Sequence, residues 1–400
     1  MANFARLAGL ILLSLTSALA GADVQAASAI AIDADSGKVL FAKNADVKRF
    51  PASTTKIMTA LLLIERRNPD EAIVAPADIE DTKESSLHLK AGESITAHDM
   101  LYALLLRSAN DASVAVARHI AGSVDAFAQM MNERALEIGC TNTHFSNPNG
   151  LNDPTHVTSA HDLALIAREA MRYPEFREVV RSKKHELTRS INTEDRILVS
   201  KNKWLWKDAS ADGIKTGYTV PAGHCYVGSA TRNGWRVITV VLKSPHWQQD
   251  HKALLDDAFA RFESRPVAPA GMVLVQEKVQ DGTLGTVDLG LPEPLRQVVR
   301  KGAGDLRTEV ETPPMAAAPI RKGQRVGALK ILDSDGFARK VPLVALTDVP
   351  KRSGIAASVA QVSSPSFGLI GGTLFAGALL MRSKARRLRG DGRRRFRFFF

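Results

Sequence analysis

Residues 51–60 have the sequence PASTTKIMTA, which places a serine and a lysine three positions apart at the start of an apolar stretch. Apolar residues recur at helical spacing from there to about Arg67, and this pattern predicts a helix. Residues three positions apart lie on the same face of a helix, so the side chains of Ser53 and Lys56 are within reach of each other. The segment therefore predicts a serine paired with a base.

This pairing has a chemical purpose, because a serine hydroxyl is a weak nucleophile that needs an adjacent base. A neutral lysine amine is such a base when burial and a second cation disfavour its charged form. A serine near a helix N-terminus also places its backbone N–H beside the positive end of the helix, which suits an oxyanion. We therefore interpret Ser53 as a candidate nucleophile and Lys56 as its candidate base.

Two further motifs follow in order along the chain: Ser108-Ala109-Asn110 and Lys215-Thr216-Gly217. Lys215 is a candidate for the second cation, and Gly217 would let a substrate backbone approach a strand edge closely. The same short patterns recur at Ser200–Lys203 and Ser190–Asn192, but neither of those leads into an apolar helix. Each motif is weak alone, and their order, spacing and context make the set specific.

Together these motifs, which are typical of β-lactamases and penicillin-binding proteins, make the chain resemble the low-molecular-mass penicillin-binding proteins, specifically the serine-type D-alanyl-D-alanine carboxypeptidases. The similar segments are residues 51–60, Leu106–Ala112, the loop Phe145–Leu151 and Asp212–Thr219. The resemblance covers about residues 28–262. It implies removal of the terminal D-alanine from peptidoglycan pentapeptide stems through an acyl-enzyme, with β-lactam antibiotics as covalent inhibitors.

The resemblance also implies a role for each motif residue. Ser53 would form the acyl-enzyme and Lys56 would be its general base. Ser108 would relay protons to the leaving D-alanine, while Asn110 would hold the substrate amide. Lys215 and Thr216 would bind the terminal carboxylate, and the backbone N–H groups of Ser53 and Tyr218 would form the oxyanion hole. The chain departs from the family at Lys243, where relatives often have an arginine near the carboxylate end of the site.

Other functions share part of this pattern. A D,D-endopeptidase acting on cross-links has the same motifs, and the sequence leaves it open. A β-lactamase needs a deacylating glutamate, which residues 141–160 do not contain. A non-catalytic wall-binding protein would be expected to lack Ser53 or Lys56.

We expect no cofactor and no metal, because no Cys/His cluster has zinc-ligand spacing. For Cys140 and Cys225 we favour two buried thiols over a disulfide.

The arrangement of predicted elements indicates an α+β fold, with an antiparallel sheet closed by strands from both ends of a helical region. It would be the transpeptidase fold of β-lactamases and penicillin-binding proteins, spanning residues 27–264. Apolar runs on either side of Asn233-Gly234 predict a hairpin in its sheet. From 267 to 349 the runs are short and separated by Gly and Pro, which predicts a small all-β domain.

The two ends of the chain predict export and attachment. Arg6, the apolar run Leu7–Leu15 and small residues before Gly21 are typical of a signal peptide within residues 1–26, cleaved after Ala20 or Ala26. Residues 353–381 carry no charge and are expected to anchor the chain in the inner membrane, and the absence of a charged face favours a segment that spans the bilayer over one that lies flat on its surface.

The basic tail at residues 382–400 carries nine Lys/Arg and one acid, hence +8 of the net charge of +11. This location favours a membrane-topology signal over nucleic-acid binding. We expect the enzyme on the periplasmic face of that membrane, with the tail in the cytoplasm.

Overall fold

The computed structural model describes residues 21–82 and 84–352, together with a strand at 393–396. Its residues divide into two compact units between Phe262 and Glu263, close to the predicted boundary. The strands described in the first unit are β1 Ser28–Asp33, β2 Val39–Lys43, β3 Ala72–Val74, β4 Ser94–Thr96, β5 Lys184–Glu186, β6 Ile197–Val199, β7 Ala211–Thr219, β8 Gly223–Arg232 and β9 Trp235–Ser244. Its helices are α1 Lys56–Arg66, α2 Ala97–Tyr102, α3 Asn110–Ala121, α4 Val124–Ile138, α5 Ala160–Ala170, α6 Pro174–Arg181 and α7 Trp247–Arg261.

A five-stranded antiparallel sheet with the order β2-β1-β9-β8-β7 organises the first unit. Its N-terminal strand β1 pairs with β9, which comes some two hundred residues later, so the two ends of the unit close the sheet as predicted. Every residue of β1 is buried, as expected where helices cover both faces of a strand. The sheet leaves β7, which carries the third motif, at one edge.

Local sequence signals explain several element boundaries. The β8–β9 hairpin turns at Asn233 and Gly234, whose φ values of 51° and 74° suit a two-residue hairpin turn. Helix α4 begins where the Ser123 side chain accepts a hydrogen bond from the Ala126 N–H, and it ends at Gly139 with a φ of 99°. Helix α5 begins after Ser159, whose side chain accepts a hydrogen bond from the Asp162 N–H. These helices therefore have the limits expected from their caps.

The second unit consists of strands throughout its described residues: β10 Phe262–Ala268, β11 Val273–Gln280, β12 Thr286–Gly290, β13 Leu295–Arg300, β14 Arg307–Glu311, β15 Ala316–Ala317, β16 Arg325–Leu332, β17 Ala338–Ala345 and β18 Arg393–Phe396. Most of them form one sheet with the order β15-β11-β12-β17-β16-β14-β18, and β10 pairs with β13. Buried residues such as Leu289, Ile331 and Leu343 form its core. The small all-β domain is thus confirmed.

Both cysteines of the first unit are buried free thiols. Burial raises the pKa of Cys140 to about 12 and that of Cys225 to about 11, so both thiols stay protonated at neutral pH. The Cys140 Sγ faces the Asp162 carbonyl at 3.7 Å, and the Cys225 Sγ faces the Phe50 carbonyl at 3.5 Å. The thiols therefore behave as the small buried groups that the sequence favoured.

The predicted terminal segments fall mostly outside the described residues. Residues 1–20 of the signal peptide and the whole anchor at 353–381 lie there, as does most of the basic tail at 382–400. Four tail residues, Arg393–Phe396, form β18 and pair with β14 in antiparallel register. Among the helices of the described ranges, none combines the length and the apolar character needed to cross a bilayer.

Candidate active site

Ser53 lies in a turn of 3₁₀-helix, Ala52–Thr55, that runs directly into α1. The preceding residue, Ala52, has a φ of 48°, which is uncommon for a residue with a side chain. Gly150 packs against this turn so closely that a Cβ on it would stand 1.9 Å from the Ala52 carbonyl oxygen. Glycine is therefore required at 150, and the close approach of its loop holds the backbone around Ser53.

Lys56 is fully buried beneath Ser53 and has three polar neighbours. Its Nζ lies 2.7 Å from the Asn110 Oδ1, 2.7 Å from the Asn149 carbonyl oxygen and 3.2 Å from the Ser53 Oγ. A neutral amine has two N–H groups and one lone pair. Because the two oxygens of Asn110 and Asn149 only accept hydrogen bonds, they take the N–H groups, and the lone pair is left for the Ser53 hydroxyl proton.

The environment of Lys56 disfavours its charged form. Burial makes the largest contribution to lowering the pKa of Lys56 well below its ordinary value, and the positive charges of Lys215 and Lys201 add to this. Asp111 and Glu84 act in the opposite direction with smaller effects. A buried amine beside other cations is the arrangement that makes a lysine a base near neutral pH.

The loop that follows α4 positions the Asn149 carbonyl for this contact. Within it, the Asn147 Oδ1 accepts a hydrogen bond from the Gly150 N–H at 2.7 Å. The Thr59 hydroxyl of α1 donates to the Pro148 carbonyl at 2.5 Å. The loop is therefore tied both to itself and to the helix that carries Lys56, which explains how a segment rich in Asn, Pro and Gly is ordered here.

The second motif lies at a break between two helices. Helix α2 continues as a turn of π-helix, Ala103–Arg107, which ends at Ser108 in the left-handed conformation with a φ of 64°. Asn110 then begins α3, with its backbone N–H donating to the Ser85 carbonyl at 2.7 Å. π-Helical turns and left-handed non-glycine residues are frequent at functional sites. The break turns Ser108 and Asn110 out of a regular helix, and both are buried.

Asp111 holds the segment next to this break in place. Its carboxylate accepts hydrogen bonds from the backbone N–H groups of Leu87 and Leu89 and from the Ser86 hydroxyl, at 2.6 to 3.1 Å. A buried carboxylate with this many donors is well compensated for its loss of water. The Asp111 side chain is therefore a structural support for the second motif.

Lys215 of the third motif is also buried, on the edge strand β7. Its Nζ donates to the Thr216 carbonyl at 2.8 Å. Burial and, to a smaller extent, the charge of Lys201 lower the pKa of Lys215 to about 7. The charge of Lys215 in turn lowers the pKa of Lys56. The two buried amines therefore disfavour charge on each other, and the positive charge of Lys215 favours the neutral form of Lys56.

Gly217 brings β7 against the nucleophile turn. A Cβ at this position would stand 3.0 Å from the Ser53 backbone nitrogen and 3.1 Å from that of Thr54. The sequence predicts that this glycine lets the substrate backbone approach the strand edge closely. In the structure, the atoms nearest to it belong to the enzyme's own turn around Ser53. Any larger side chain at 217 would occupy the space in front of the Ser53 N–H.

The remaining residues of the third motif are more open. Thr216 is half-buried, whereas the Tyr218 side chain is exposed and packs 4.6 Å, between ring centroids, from His224 on the neighbouring strand. The Tyr218 ring therefore points away from the buried lysines, and only its backbone is suited to the predicted oxyanion hole. That role of the Ser53 and Tyr218 N–H groups stays a prediction.

Lys201 is a residue of this site that the sequence analysis set aside with its S-x-x-K segment. Although much of its side chain is exposed, its Nζ donates to the Ser85 hydroxyl at 2.6 Å, and Ser85 in turn bonds the backbone N–H of Asn110. Burial of the amine and the charge of Arg107 lower the pKa of Lys201. No local pattern marks this lysine, because only the fold brings its charge near Lys56 and Lys215.

His156 contacts the nucleophile turn and has a structural role. The Ser146 N–H donates to its Nδ1 at 3.0 Å, so the ring proton is on Nε2, which donates to the Thr55 hydroxyl at 2.8 Å. Burial lowers the pKa of His156 to about 4, so the ring is neutral at pH 7. Both nitrogens are thus occupied in holding the loop to the turn. His161 lies farther along the chain and pairs with Asp46 at the surface at 2.9 Å.

Comparison with known proteins relates this geometry to a family. Residues 15–246 match the family described as D-alanyl-D-alanine carboxypeptidase, and residues 262–351 match the C-terminal domain of penicillin-binding protein 5. The chain is 34% identical over 343 residues to D-alanyl-D-alanine carboxypeptidase DacF of Bacillus subtilis (strain 168), covering 82% of this chain and 87% of DacF. It is 32% identical over 348 residues to DacA of Escherichia coli (strain K12), covering 82% of this chain and 84% of DacA.

Solved structures share the same architecture. Penicillin binding protein 5 from Haemophilus influenzae superposes with a TM-score of 0.68 at 28% sequence identity, over 83% of this chain and 100% of that one. The match extends through both units, since each has its own counterpart among the matched families. The transpeptidase fold with a C-terminal all-β domain, expected from the sequence, is therefore confirmed.

Proposed function

The chain belongs to the D-alanyl-D-alanine carboxypeptidase family of low-molecular-mass penicillin-binding proteins and is a serine-type D-alanyl-D-alanine carboxypeptidase, and from this premise we propose that Ser53 is its nucleophile and Lys56 its general base. One observation carries the assignment. The buried Lys56 amine has its two N–H groups engaged by carbonyl oxygens and lies 3.2 Å from the Ser53 Oγ. Burial and nearby positive charges lower its pKa, which favours the neutral amine that can take the hydroxyl proton.

The reaction then has two stages. In the first, the Ser53 Oγ transfers its proton to the Lys56 Nζ and attacks the carbonyl carbon of the penultimate D-alanine. The bond to the terminal D-alanine nitrogen breaks, and that nitrogen takes up the proton held by Lys56, which Ser108 would relay, so that Lys56 is neutral again. In the second, water attacks the acyl-enzyme, losing a proton to the same base, and Ser53 is released with its hydroxyl restored. Asn110, which already bonds Lys56, would also hold the substrate amide.

Lys215 and Thr216 are the proposed partners of the substrate's terminal carboxylate. Lys215 is a buried cation on the edge strand, and an incoming carboxylate would favour its charged form by raising its pKa above about 7. Lys243, which stands where relatives often have an arginine, is exposed at the end of β9. We therefore assign carboxylate binding to Lys215 and Thr216 rather than to Lys243.

The products formed from defined substrates test this function. Purified protein would be incubated with a pentapeptide stem and with a cross-linked dimer, and the products identified by mass. Release of D-alanine from the pentapeptide is expected, together with a covalent penicillin adduct. Cleavage of the cross-link at a comparable rate would add the endopeptidase activity. Rapid turnover of penicillin to penicilloic acid, without D-alanine release, would instead assign a β-lactamase.

Export is proposed to follow signal cleavage after Ala20. Residues 21–26 have a place in the first unit: Val24 and Ala26 are buried, and the Gln25 N–H donates to the Asp250 carboxylate at 2.7 Å. Cleavage after Ala26 would remove these contacts, so they favour the earlier site. The mature N-terminus, read by Edman degradation of protein recovered from the periplasm, is expected to begin at Gly21.

Attachment to the inner membrane through residues 353–381 is the finer part of the proposal, with the catalytic unit on the periplasmic face. A spanning anchor would place the basic tail in the cytoplasm. Pairing of β18 with β14 would keep residues 393–396 beside the second unit, and these two arrangements exclude each other. A protease-sensitive tag after Phe400 decides between them, because protease added outside the inner membrane cleaves it only in the second arrangement. Release of a chain truncated before Ser353 is expected in either case, and its retention on membranes would contradict the anchor.

A further inference from the structure

A group of three side chains outside the cleft has the composition of a metal site. His98 and Asp99 are consecutive residues of α2, and His185 lies on β5. Their ligand atoms, one per residue, all lie within 4.8 Å of one another. We propose that His98, Asp99 and His185 bind a zinc ion and that this ion joins α2 to the β5–β6 hairpin.

The distances are close to what zinc requires. Zinc bonds to imidazole nitrogen at about 2.0–2.1 Å in tetrahedral geometry, so two ligand atoms stand about 3.4 Å apart around the ion. The His185 Nε2 lies 2.7 Å from the Asp99 Oδ1, and the His98 Nδ1 lies 3.9 Å from the same oxygen. These two distances fall on either side of the required value. Small rotations of the two rings would complete a three-ligand site with a fourth position for water.

Two of the three ligands are already oriented by neighbouring groups. The Asp99 Oδ2 accepts a hydrogen bond from the Thr188 N–H at 2.8 Å, which leaves Oδ1 for the ion. The His185 ring stacks on the Tyr102 ring with centroids 3.5 Å apart and planes 7° apart. Supporting contacts of this kind hold metal ligands in place and strengthen binding. His98, the third ligand, is about one-third exposed, and its ring makes edge contacts with the rings of Tyr102 and His185.

The chemistry of the ligands selects the metal. Two imidazoles and one carboxylate suit zinc and other borderline transition ions, whereas magnesium and calcium prefer oxygen ligands. The hydrogen bond between His185 and Asp99 satisfies both groups without an ion. Zinc would take the place of the proton on Nε2, which moves to Nδ1 or to water.

The proposed ligands belong to two different elements, α2 and β5, which the ion would link. Helix α2 continues into the π-helical turn that ends at Ser108. His185 pairs with Leu198 of β6, and Lys201 follows that strand by two residues. An ion held by α2 and β5 would therefore link the two segments that lead to Ser108 and to Lys201, at a point outside the acylation machinery.

Titration calorimetry of the full, tag-free chain in neutral detergent tests the proposal, with zinc chloride as the probe after chelator treatment. We expect one zinc per chain, a rise in the thermal unfolding midpoint with zinc, and visible absorption bands when cobalt replaces zinc. Magnesium at equal concentration should neither bind there nor compete. Penicillin labelling of Ser53 is measured in parallel, so that failure of the metal site is distinguished from failure of the enzyme.

Variants locate the ion. His98→Ala leaves the His185–Asp99 hydrogen bond in place and should weaken zinc binding at least tenfold, while His185→Ala should weaken it by about 100-fold or more. The matched control is His161→Ala, which removes a surface histidine that also pairs with a single carboxylate, Asp46. His161→Ala should bind zinc as the wild type does. Absence of binding by the wild type, or binding that both His98→Ala and His185→Ala retain in full, would overturn the proposal.

Discussion

Two segments of the first unit share the pattern serine, two residues, lysine, and the fold treats them in opposite ways. In the segment 53–56, the lysine is fully buried with its amine 3.2 Å from the serine oxygen. In the segment 200–203, Lys203 is exposed at the start of a short 3₁₀ turn, and the Ser200 hydroxyl accepts a hydrogen bond from the Asn202 N–H at 3.3 Å. The motif alone therefore does not create a nucleophile.

What separates the two segments is their surroundings. In the first segment, Lys56 contacts the Asn149 carbonyl and the Asn110 side chain, and the glycine of the third motif packs against the turn. The second segment has no comparable set of carbonyl acceptors around its Lys203 among the contacts found in the described ranges. Yet its second residue, Lys201, adds positive charge to the first site. The difference shows that a base arises where burial and nearby cations act on the same amine.

The largest difference between the two segments is expected when the serine of each, Ser53 or Ser200, is replaced. Ser53→Ala is expected to abolish covalent labelling by fluorescent penicillin, because Ser53 supplies the hydroxyl found in contact with the Lys56 amine in the described ranges. Ser200→Ala should label as the wild type does. Labelled protein is measured on denaturing gels after a fixed time. Adduct formation that survives Ser53→Ala would show that the nucleophile lies elsewhere.

Replacing each lysine by arginine tests the bases. Lys56→Arg is expected to lower the acylation rate by about 10²–10⁴-fold, the usual contribution of a general base, because arginine keeps its charge and cannot accept a proton. Lys203→Arg is the matched control and should be unaffected. Stopped-flow or quenched acylation with penicillin gives both rates. A near-normal rate for Lys56→Arg would mean that the hydroxyl proton goes to another group.

Lys215→Ala is expected to have a smaller and substrate-selective effect. A charge-assisted contact contributes about 1.5–3 kcal/mol, so kcat/KM for peptides with a free terminal carboxylate should fall by tens- to hundredfold. Peptides with an amidated end should lose much less, and Lys203→Ala should change neither. The measurement is D-alanine or D-alaninamide release from paired substrates. Equal losses on the two substrates would argue against carboxylate binding by Lys215.

The smallest effect on activity is expected when Lys201 is replaced. This residue belongs to the second segment, and its positive charge acts on the buried lysines of the active site. Charged Lys215 exists below its pKa of about 7, so kcat/KM for carboxylate substrates should fall as the pH rises through that value. Lys201→Met removes a positive charge that lowers the pKa of both Lys56 and Lys215. The whole pH profile should therefore move to higher pH, with a change of less than about tenfold at pH 7.

Lys203→Met provides the control for this shift, because its side chain is exposed and acts on neither buried amine. An unchanged profile in Lys201→Met would mean that the charge of Lys201 is screened from the cleft by solvent. A profile moved to lower pH would contradict the direction of the charge effect altogether. Either result leaves the roles of Ser53 and Lys56 to be judged by the two larger tests.

Sequence reasoning succeeded where the determinants are local. The helix that follows Ser53 and the hairpin turn at Asn233-Gly234 both depend on residues close together in the chain. The three motifs were found because the family resemblance adds long-range information to short patterns. The all-β second unit followed from short apolar runs separated by Gly and Pro.

Reasoning from local patterns failed where distant segments meet. Nothing near Lys201 indicates that its amine lies beside the second motif, and nothing near His185 indicates that α2 will place an aspartate 2.7 Å from its ring. The π-helical turn before Ser108 depends on how α2 and α3 pack, since its sequence is an ordinary apolar helical run. The contact of Gly217 with the nucleophile turn was missed for the same reason, because that turn is about 160 residues away in the chain.

The two buried thiols allow local opening of the first unit to be measured by their reaction with a thiol reagent. Cys140 follows α4 at the helical side, and Cys225 lies in β8 within the sheet. A thiol reagent modifies only the exposed thiolate, so each cysteine is protected until its own surroundings open. The rates at which the two sites are alkylated under native conditions therefore measure the opening of the helical layer and of the sheet separately, without any added label.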